Sequence, residues 1–248
     1  MKLAIISDIH EDVVNLKLAL QKIEKLQCGK IVCLGDISGF SVPHYRYFDT
    51  RDAHECLRII RENCEFIVPG NHDLQAAKII PQNIKGFEYP DDWYDLDYRQ
   101  RKEIANGKVW LYDHDELDPL YTSEDIRYLA GLPETEIIRI KERNILFSHY
   151  VYPNLSGSLA QFYHEHTEFQ AHFRFMSEFK ADVSFTGHAH PGGLFLVSEN
   201  KVRVKGFREK YFLNGPTIIS VPAIAGNRIR NGFCIFDTDE GWVKAVRV

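Results

Sequence analysis

Lys2-Leu3-Ala4-Ile5-Ile6-Ser7-Asp8-Ile9-His10 is a short apolar run that stops on a hydroxyl, a carboxylate and an imidazole. Its length and its Ile and Leu content predict a buried β-strand with polar chemistry at its carboxyl end. The same pattern recurs four times. Lys30–Leu34 ends at Gly35-Asp36, Glu65–Val68 at Pro69-Gly70-Asn71-His72-Asp73, Asn144–Phe147 at Ser148-His149, and Val183–Phe185 at Thr186-Gly187-His188-Ala189-His190. Between the first two runs, Asp12 is placed to cap a helix reaching about Gln27. Leu16, Ala19, Leu20, Ile23 and Leu26 form its inner stripe, and Gly29 stops it. Asp52–Asn63 reads as a second helix, facing inward through Ala53, Cys56, Leu57 and Ile60. Strand, helix, strand, helix, strand implies parallel pairing with right-handed crossovers. Ligands of such sheets sit just past the carboxyl ends of the strands, where all five polar clusters lie.

Outward from this frame, the chain from about Ile80 to Tyr121 is charged and aromatic, with Trp93, Tyr94, Tyr98, Trp110 and Tyr112. These rings read as packing for a cap or insert at about 80–125, rather than as base-stacking platforms. Thr122-Ser123-Glu124-Asp125 signals a helix start, and Gly131 and Pro133 end that helix. Beyond about Ile137 the chain is strand-rich: Ile137–Ile140, Leu194–Val197, Lys201–Val204, Thr217–Val221, Phe233–Phe236 and Val243–Val246, with a helix around Thr167–Phe179. The order fits two sheets packed face to face with helices outside, within a single domain spanning 1–248.

The 248 residues suffice for a large core, and 44% hydrophobic with 26% charged residues is ordinary globular composition. A net charge of −5 and a pI near 6.1 argue against a general grip on long nucleic acid, which needs a basic stripe. The N-terminal apolar run is too short for a signal segment, and no stretch approaches the roughly 20 apolar residues that cross a bilayer. Five cysteines, odd in number and without a C-x-x-C pair, read as small buried hydrophobes in a reducing compartment, so a cytoplasmic location is expected.

Asp8, His10, Asp36, Asn71, His149, His188 and His190 together offer carboxylate and amide oxygens and imidazole nitrogens. That mixture suits borderline divalent ions (Mn, Fe, Co, Ni or Zn, with Mn favoured) better than the all-oxygen shells of Ca or Mg. Seven ligands serve two ions if one carboxylate is shared, and Asp36, from the middle of the group, fits that place. Ions roughly 3.5–4 Å apart can share a hydroxide and clamp both oxygens of an in-line displacement at phosphorus.

Asp8-x-His10, Gly35-Asp36, Gly70-Asn71-His72-Asp73, the lone His149 and Gly187-His188-Ala189-His190, all in order, resemble the calcineurin-like metallophosphoesterases, and within them the small bacterial branch. The resemblance implies an α/β fold, a four-layer α/β/β/α sandwich of two mixed β-sheets flanked by helices. It implies one metal held by Asp8, His10 and His190, another by Asn71, His149 and His188, and Asp36 bridging. His72 would donate a proton to the leaving group or stabilise the transition state, with Asp73 orienting its ring. Three positions depart from the family pattern: Glu11-Asp12 after the first His, the loop Ile37–Pro43, and Tyr150 after His149. None removes a ligand, and Glu11 puts a carboxylate next to the site.

Among the remaining residues, His44, Tyr45 and Arg46 could reach a substrate phosphate or belong to a solvated loop. Arg228 and Arg230 could line the cleft or lie on the surface. His164 and His166 read as a lid or surface segment rather than a third metal cluster, and Asp113-His114-Asp115-Glu116 as a solvated acidic turn. The expected function is a two-metal phosphoesterase acting on a small phosphate ester, with the diester favoured over the monoester. The alternative is a protein-binding scaffold of the same fold with little catalysis; a nuclease for long DNA or RNA is disfavoured by the acidic balance. No membrane partner is expected, and the oligomeric state stays open.

Overall fold

The Lys2–Ile6 strand alternates strictly between two environments. Leu3 and Ile5 face a core shared with a second sheet, while Ala4 and Ile6 face helices. This is the period-two pleat of a strand buried on both sides. A computed structural model describes residues 1–226 and 231–248. In it Lys2–Ile6 is internal to a six-stranded sheet whose spatial order is Tyr211–Phe212, Trp242–Arg247, Gly232–Asp237, Lys2–Ile6, Lys30–Cys33, Phe66–Ile67. The last three run parallel, Ile6 opposite Cys33 and Cys33 opposite Ile67, and Gly232–Asp237 joins them antiparallel. The second sheet has the order Lys201–Lys205, Leu194–Ser198, Thr217–Ser220, Ala181–Thr186, Arg143–Ser148, Thr135–Ile140. Its three central pairings include two parallel ones, around Ala181–Thr186.

The two sheets close on each other through Leu3, Ile5, Val32, Ile145, Phe147, Val183, Phe185 and Ile219. The Phe147 and Phe185 rings stack at 5.7 Å across neighbouring strands. Helices Val13–Lys25, Ala53–Asn63 and Ser123–Ala130 cover the outer face of the first sheet through Leu16, Ala19, Leu57, Ile60 and Leu129. Helix Gln170–Glu178 covers the second through Phe173 and Met176. The fold is the four-layer α/β/β/α sandwich of two mixed sheets. The helix starts follow the sequence. Asp12, Asp52 and Thr122 each accept a hydrogen bond from the backbone N–H three residues on. The first helix ends at Lys25 rather than Gln27, because Gln27 turns left-handed at φ 55° ahead of Gly29. A helix that hydrophobic periodicity did not signal, Asn71–Ala77, begins on the Gly-Asn-His-Asp block itself.

Residues 80–111 form a small core of their own on the rim of the sandwich, with Trp93, Ala105 and Val109 buried against Leu159. This segment returns to the sandwich as the short strand Glu116–Leu117, paired antiparallel with Phe40–Ser41. Among the described residues no helix is long and apolar enough to cross a membrane.

Candidate metal centre

Six residues past the strand ends hold left-handed backbone without being glycine: Asp8, His10, Glu11, Asp36, His188 and His190, with φ from 44° to 68°. Each such residue costs on the order of 1 kcal/mol or more and survives where surrounding bonds over-determine it. Here they do. The Ile9 and His10 N–H groups both donate to the Asp36 carbonyl at 2.7 and 2.9 Å, Asp8 N–H to Gly35, and Gly187 N–H to His149 at 2.8 Å. Loops are thus stitched within each sheet, the His188 N–H joins the two sets by donating to the Asp8 carboxylate at 3.1 Å, and their side chains turn to one point.

At that point two donor clusters form, Asp8–His10–His190 and Asp36–His149–His188, and a third group, His10–Asp36–His72, overlaps both. Asp8 Oδ1 lies 3.1 Å from His190 Nε2, and His10 Nε2 lies 3.2 Å from His190 Nε2. Asp36 Oδ2 is 3.0 Å from His149 Nε2 and 4.0 Å from His10 Nε2, so one oxygen faces both clusters. Its other oxygen accepts the His72 backbone N–H at 3.0 Å. His10 Nδ1 and His149 Nδ1 sit 2.9 and 2.6 Å from the carbonyls of Gly39 and Leu34, which can only accept. The proton is therefore fixed on Nδ1, and Nε2 presents a lone pair inward. Lone pairs then face lone pairs and carboxylates, an arrangement that calls for cations between them. Asn71 Oδ1, His149 Nε2 and His188 Nε2 are buried and have no hydrogen-bond partner among the described residues. The Tyr112 hydroxyl, 2.7 Å away, takes the Asn71 amide N–H and turns Oδ1 into the site. The residues present therefore fit divalent metal ions.

Electrostatics sorts these groups by role. Burial opposes ionisation of Asp8 and Asp36, yet the neighbouring imidazoles hold both well below the ordinary carboxylate range. Burial, reinforced by His72 and His149 respectively, pushes His10 and His188 down to about 3, the neutral form a metal requires. His149 is pushed the other way, up to about 9, because Asp36 and Asp8 outweigh its burial, so a cation binding at its Nε2 would displace a proton held there by Asp36. His72 is likewise pushed up to about 10, burial being overcome by Glu116 and Asp36. Such opposed shifts within one cleft mark a site built for chemistry.

Six of the seven expected ligands contribute to the two clusters, and Asn71 joins them through its inward oxygen. His72 stands at the edge, Nε2 3.8 Å from Asp36 Oδ2. Asp73 does not orient the His72 ring. Its buried carboxylate accepts the N–H groups of Ile37, Ser38 and Gly70 and the Ser38 hydroxyl, which fixes the Asp36 loop to the Asn71 helix. The ring's Nδ1 instead lies 2.6 Å from Glu116, close enough for an ion pair although not aligned as a hydrogen bond. Glu116 was expected in a solvated turn. Its pairing opposite Ser41 brings it in, a contact no local pattern announces. Glu11 faces away from the metal site, its carboxylate bound to Arg51 at 2.9 Å and to the Phe40 N–H.

A cleft of about 570 Å³ opens over the clusters. His44 and Tyr45 line it; Arg46 does not, because its guanidinium curls back onto the carbonyls of Val42, Pro43 and Tyr45. Arg228 and Arg230 lie outside the described residues. His164 is exposed and His166 opens a short 3₁₀ turn; neither joins a donor cluster among the described residues. Trp93 and Tyr94 pack as expected, but Trp110 stands 38% exposed in the cleft.

The profile of the calcineurin-like phosphoesterases matches residues 1–192, and the chain belongs to that family. It is 28% identical to the uncharacterized protein MJ0912 of Methanocaldococcus jannaschii over 263 residues, covering 99% of this chain and 86% of that protein. The crystal structure of a metallophosphoesterase from Sphaerobacter thermophilus superposes with a TM-score of 0.68 at 21% identity, covering 100% of this chain and 88% of the other. A hypothetical protein, PH1004, from Pyrococcus horikoshii OT3 gives 0.60 at 15% identity, covering 100% and 87%. Family and site together define a metal-dependent hydrolase of phosphate esters.

Proposed function

We propose that the chain hydrolyses phosphodiesters at two divalent transition-metal ions, manganese favoured. Asp8, His10 and His190 would hold one ion, and Asn71, His149 and His188 the other, with Asp36 facing both groups. The observation that carries this reading is the convergence of inward lone pairs, three of them buried without a partner among the described residues, on one carboxylate oxygen. Ions bound there would supply Lewis acidity and an activated water for displacement at phosphorus. The protein's own part is to place the ester so that its leaving oxygen meets His72. There Nε2 donates a proton or a charged hydrogen bond as the bond to phosphorus breaks. Glu116 holds the ring and favours its protonated form. The diester preference is supported by the lining of the cleft. Among the described residues it carries Asp36, Asp115 and Glu116 but no Lys or Arg, so no ammonium or guanidinium there is set to take the second charge of a monoester. The scaffold reading loses support, because every donor and His72 are in place.

The test is turnover of an aryl phosphodiester and the matching monoester with added manganese, using Asp36→Asn as control. Diester turnover that exceeds monoester turnover and vanishes in the variant is expected. Full activity of Asp36→Asn would sink the shared-ligand mechanism, and a faster monoester rate would sink the diester preference.

A further inference from the structure

The insert at 80–125 and the segment that follows His149 meet at the mouth of the cleft. Trp110 N–H donates to the Ser158 carbonyl at 3.1 Å and Ala160 N–H to the Lys108 carbonyl at 2.9 Å, bracketing a bridge between Val109 and Leu159. Val109 and Leu159 point into the small core of the insert. By strand alternation their neighbour Trp110 turns the other way, into the cleft. On the other segment, Phe162 lies over the His188 ring at 5.0 Å and 22°, and the Trp110 ring follows at 6.0 Å from Phe162. Three rings thus step outward from the metal centre. The outer two are 40% and 38% exposed. A single exposed aromatic is unremarkable. Two adjacent ones, tilted 51° to each other on the lining of a concave site and with Trp110 held by paired backbone, leave apolar ring faces open where one arm of a bound ester must lie.

We propose that this ledge receives a planar aromatic arm of the substrate, so that the ester is a phosphodiester of nucleoside type. The proposal rests on the phosphoesterase reading above. Stacking suits any base because each has a π-face. The carboxylates of Asp115 and Glu116, also on the cleft lining, accept hydrogen bonds from amino or hydroxyl groups and repel further phosphates. A polyphosphate chain or a sugar phosphate therefore matches the described lining less well than one aromatic arm on one phosphodiester.

The experiment compares two diesters with the same leaving group, thymidine 5′-(p-nitrophenyl phosphate) and ethyl p-nitrophenyl phosphate, with manganese. In both, water adds to phosphorus as the bond to p-nitrophenol breaks. The products are p-nitrophenol and either thymidine monophosphate or ethyl phosphate. Only the retained arm differs. The nucleoside ester should be favoured about tenfold in kcat/KM, carried by KM, the scale of one base–aromatic stack. Trp110→Ala should bring that ratio close to one, and Trp110→Phe should keep part of it. As a readout independent of turnover, thymidine monophosphate should quench tryptophan fluorescence of the manganese-loaded protein, and ethyl phosphate should not. Wild-type turnover of both esters at equal kcat/KM, without selective quenching, overturns the ledge and leaves the phosphoesterase standing. So does a ratio unchanged in Trp110→Ala. Turnover of neither ester overturns the reading beneath it.

Discussion

Glu116→Gln removes one negative charge from the cleft while keeping the shape of the side chain and the backbone pairing with Ser41. Glu116 and His72 are only 13% and 16% exposed, and their closest atoms are 2.6 Å apart, so solvent screens the pair weakly. The contact is an ion pair rather than an aligned hydrogen bond, so the figure for a charged hydrogen bond, about 1.5–3 kcal/mol, is its ceiling. The lower end applies, and about 1.4 kcal/mol corresponds to a factor of ten. The variant should therefore lose roughly tenfold in kcat with little change in KM, because the ring is held for the step in which the leaving group departs. The assay is a series of aryl diesters whose phenols span several pKa units. A good leaving group needs no proton, so the loss should shrink towards nothing for nitrophenol and grow for poorer phenols. Thermal melting of the variant checks that the fold is kept. A loss equal across the series, or a loss in KM alone, would refute the positioning role.

Tyr112→Phe leaves the Asn71 amide N–H without its acceptor at 2.7 Å and frees the amide to rotate. Metal affinity should fall about tenfold, the usual cost of losing such an outer partner, measured by equilibrium dialysis; unchanged affinity would exclude the orienting role. Gly39 holds φ 96°, and a Cβ there would collide with the His72 ring. Gly39→Ala should cut turnover by at least tenfold, with metal content followed alongside because the Gly39 carbonyl also holds His10; wild-type turnover would show that the ring position is not critical. His172 is buried, its Nδ1 accepting the Tyr152 N–H at 2.9 Å and its Nε2 facing Ser184 Oγ at 2.8 Å. Burial holds it down at about 3, against 6.5 when unfolded. Only the unfolded chain takes the proton in that window, so this contribution to stability is full above 6.5. It falls by about 1.4 kcal/mol per unit as pH drops towards 3. Urea unfolding from pH 7 to 5 should show that slope reduced in His172→Gln, and an identical slope would contradict it.

Strand ends and the polar residues that converge past them were legible in the sequence because both are local. The apolar run of each strand, and the polar residue that ends it, are written in consecutive positions. So are the caps Asp12, Asp52 and Thr122, which act three residues away. The seven candidate donors shared that advantage, since each sits just past the end of its own strand. What touches those donors does not. Glu116 reaches His72, Tyr112 reaches Asn71 and Trp110 reaches Phe162 only because an insert with its own small core folds back over the sandwich. Asp73, beside His72 in the chain, points instead into the Asp36 loop. Periodicity reports which face of an element is buried. Partners brought together by the packing of separate segments leave no spacing in the sequence, and so the outer shell of the site and the mouth of the cleft were decided by tertiary structure alone.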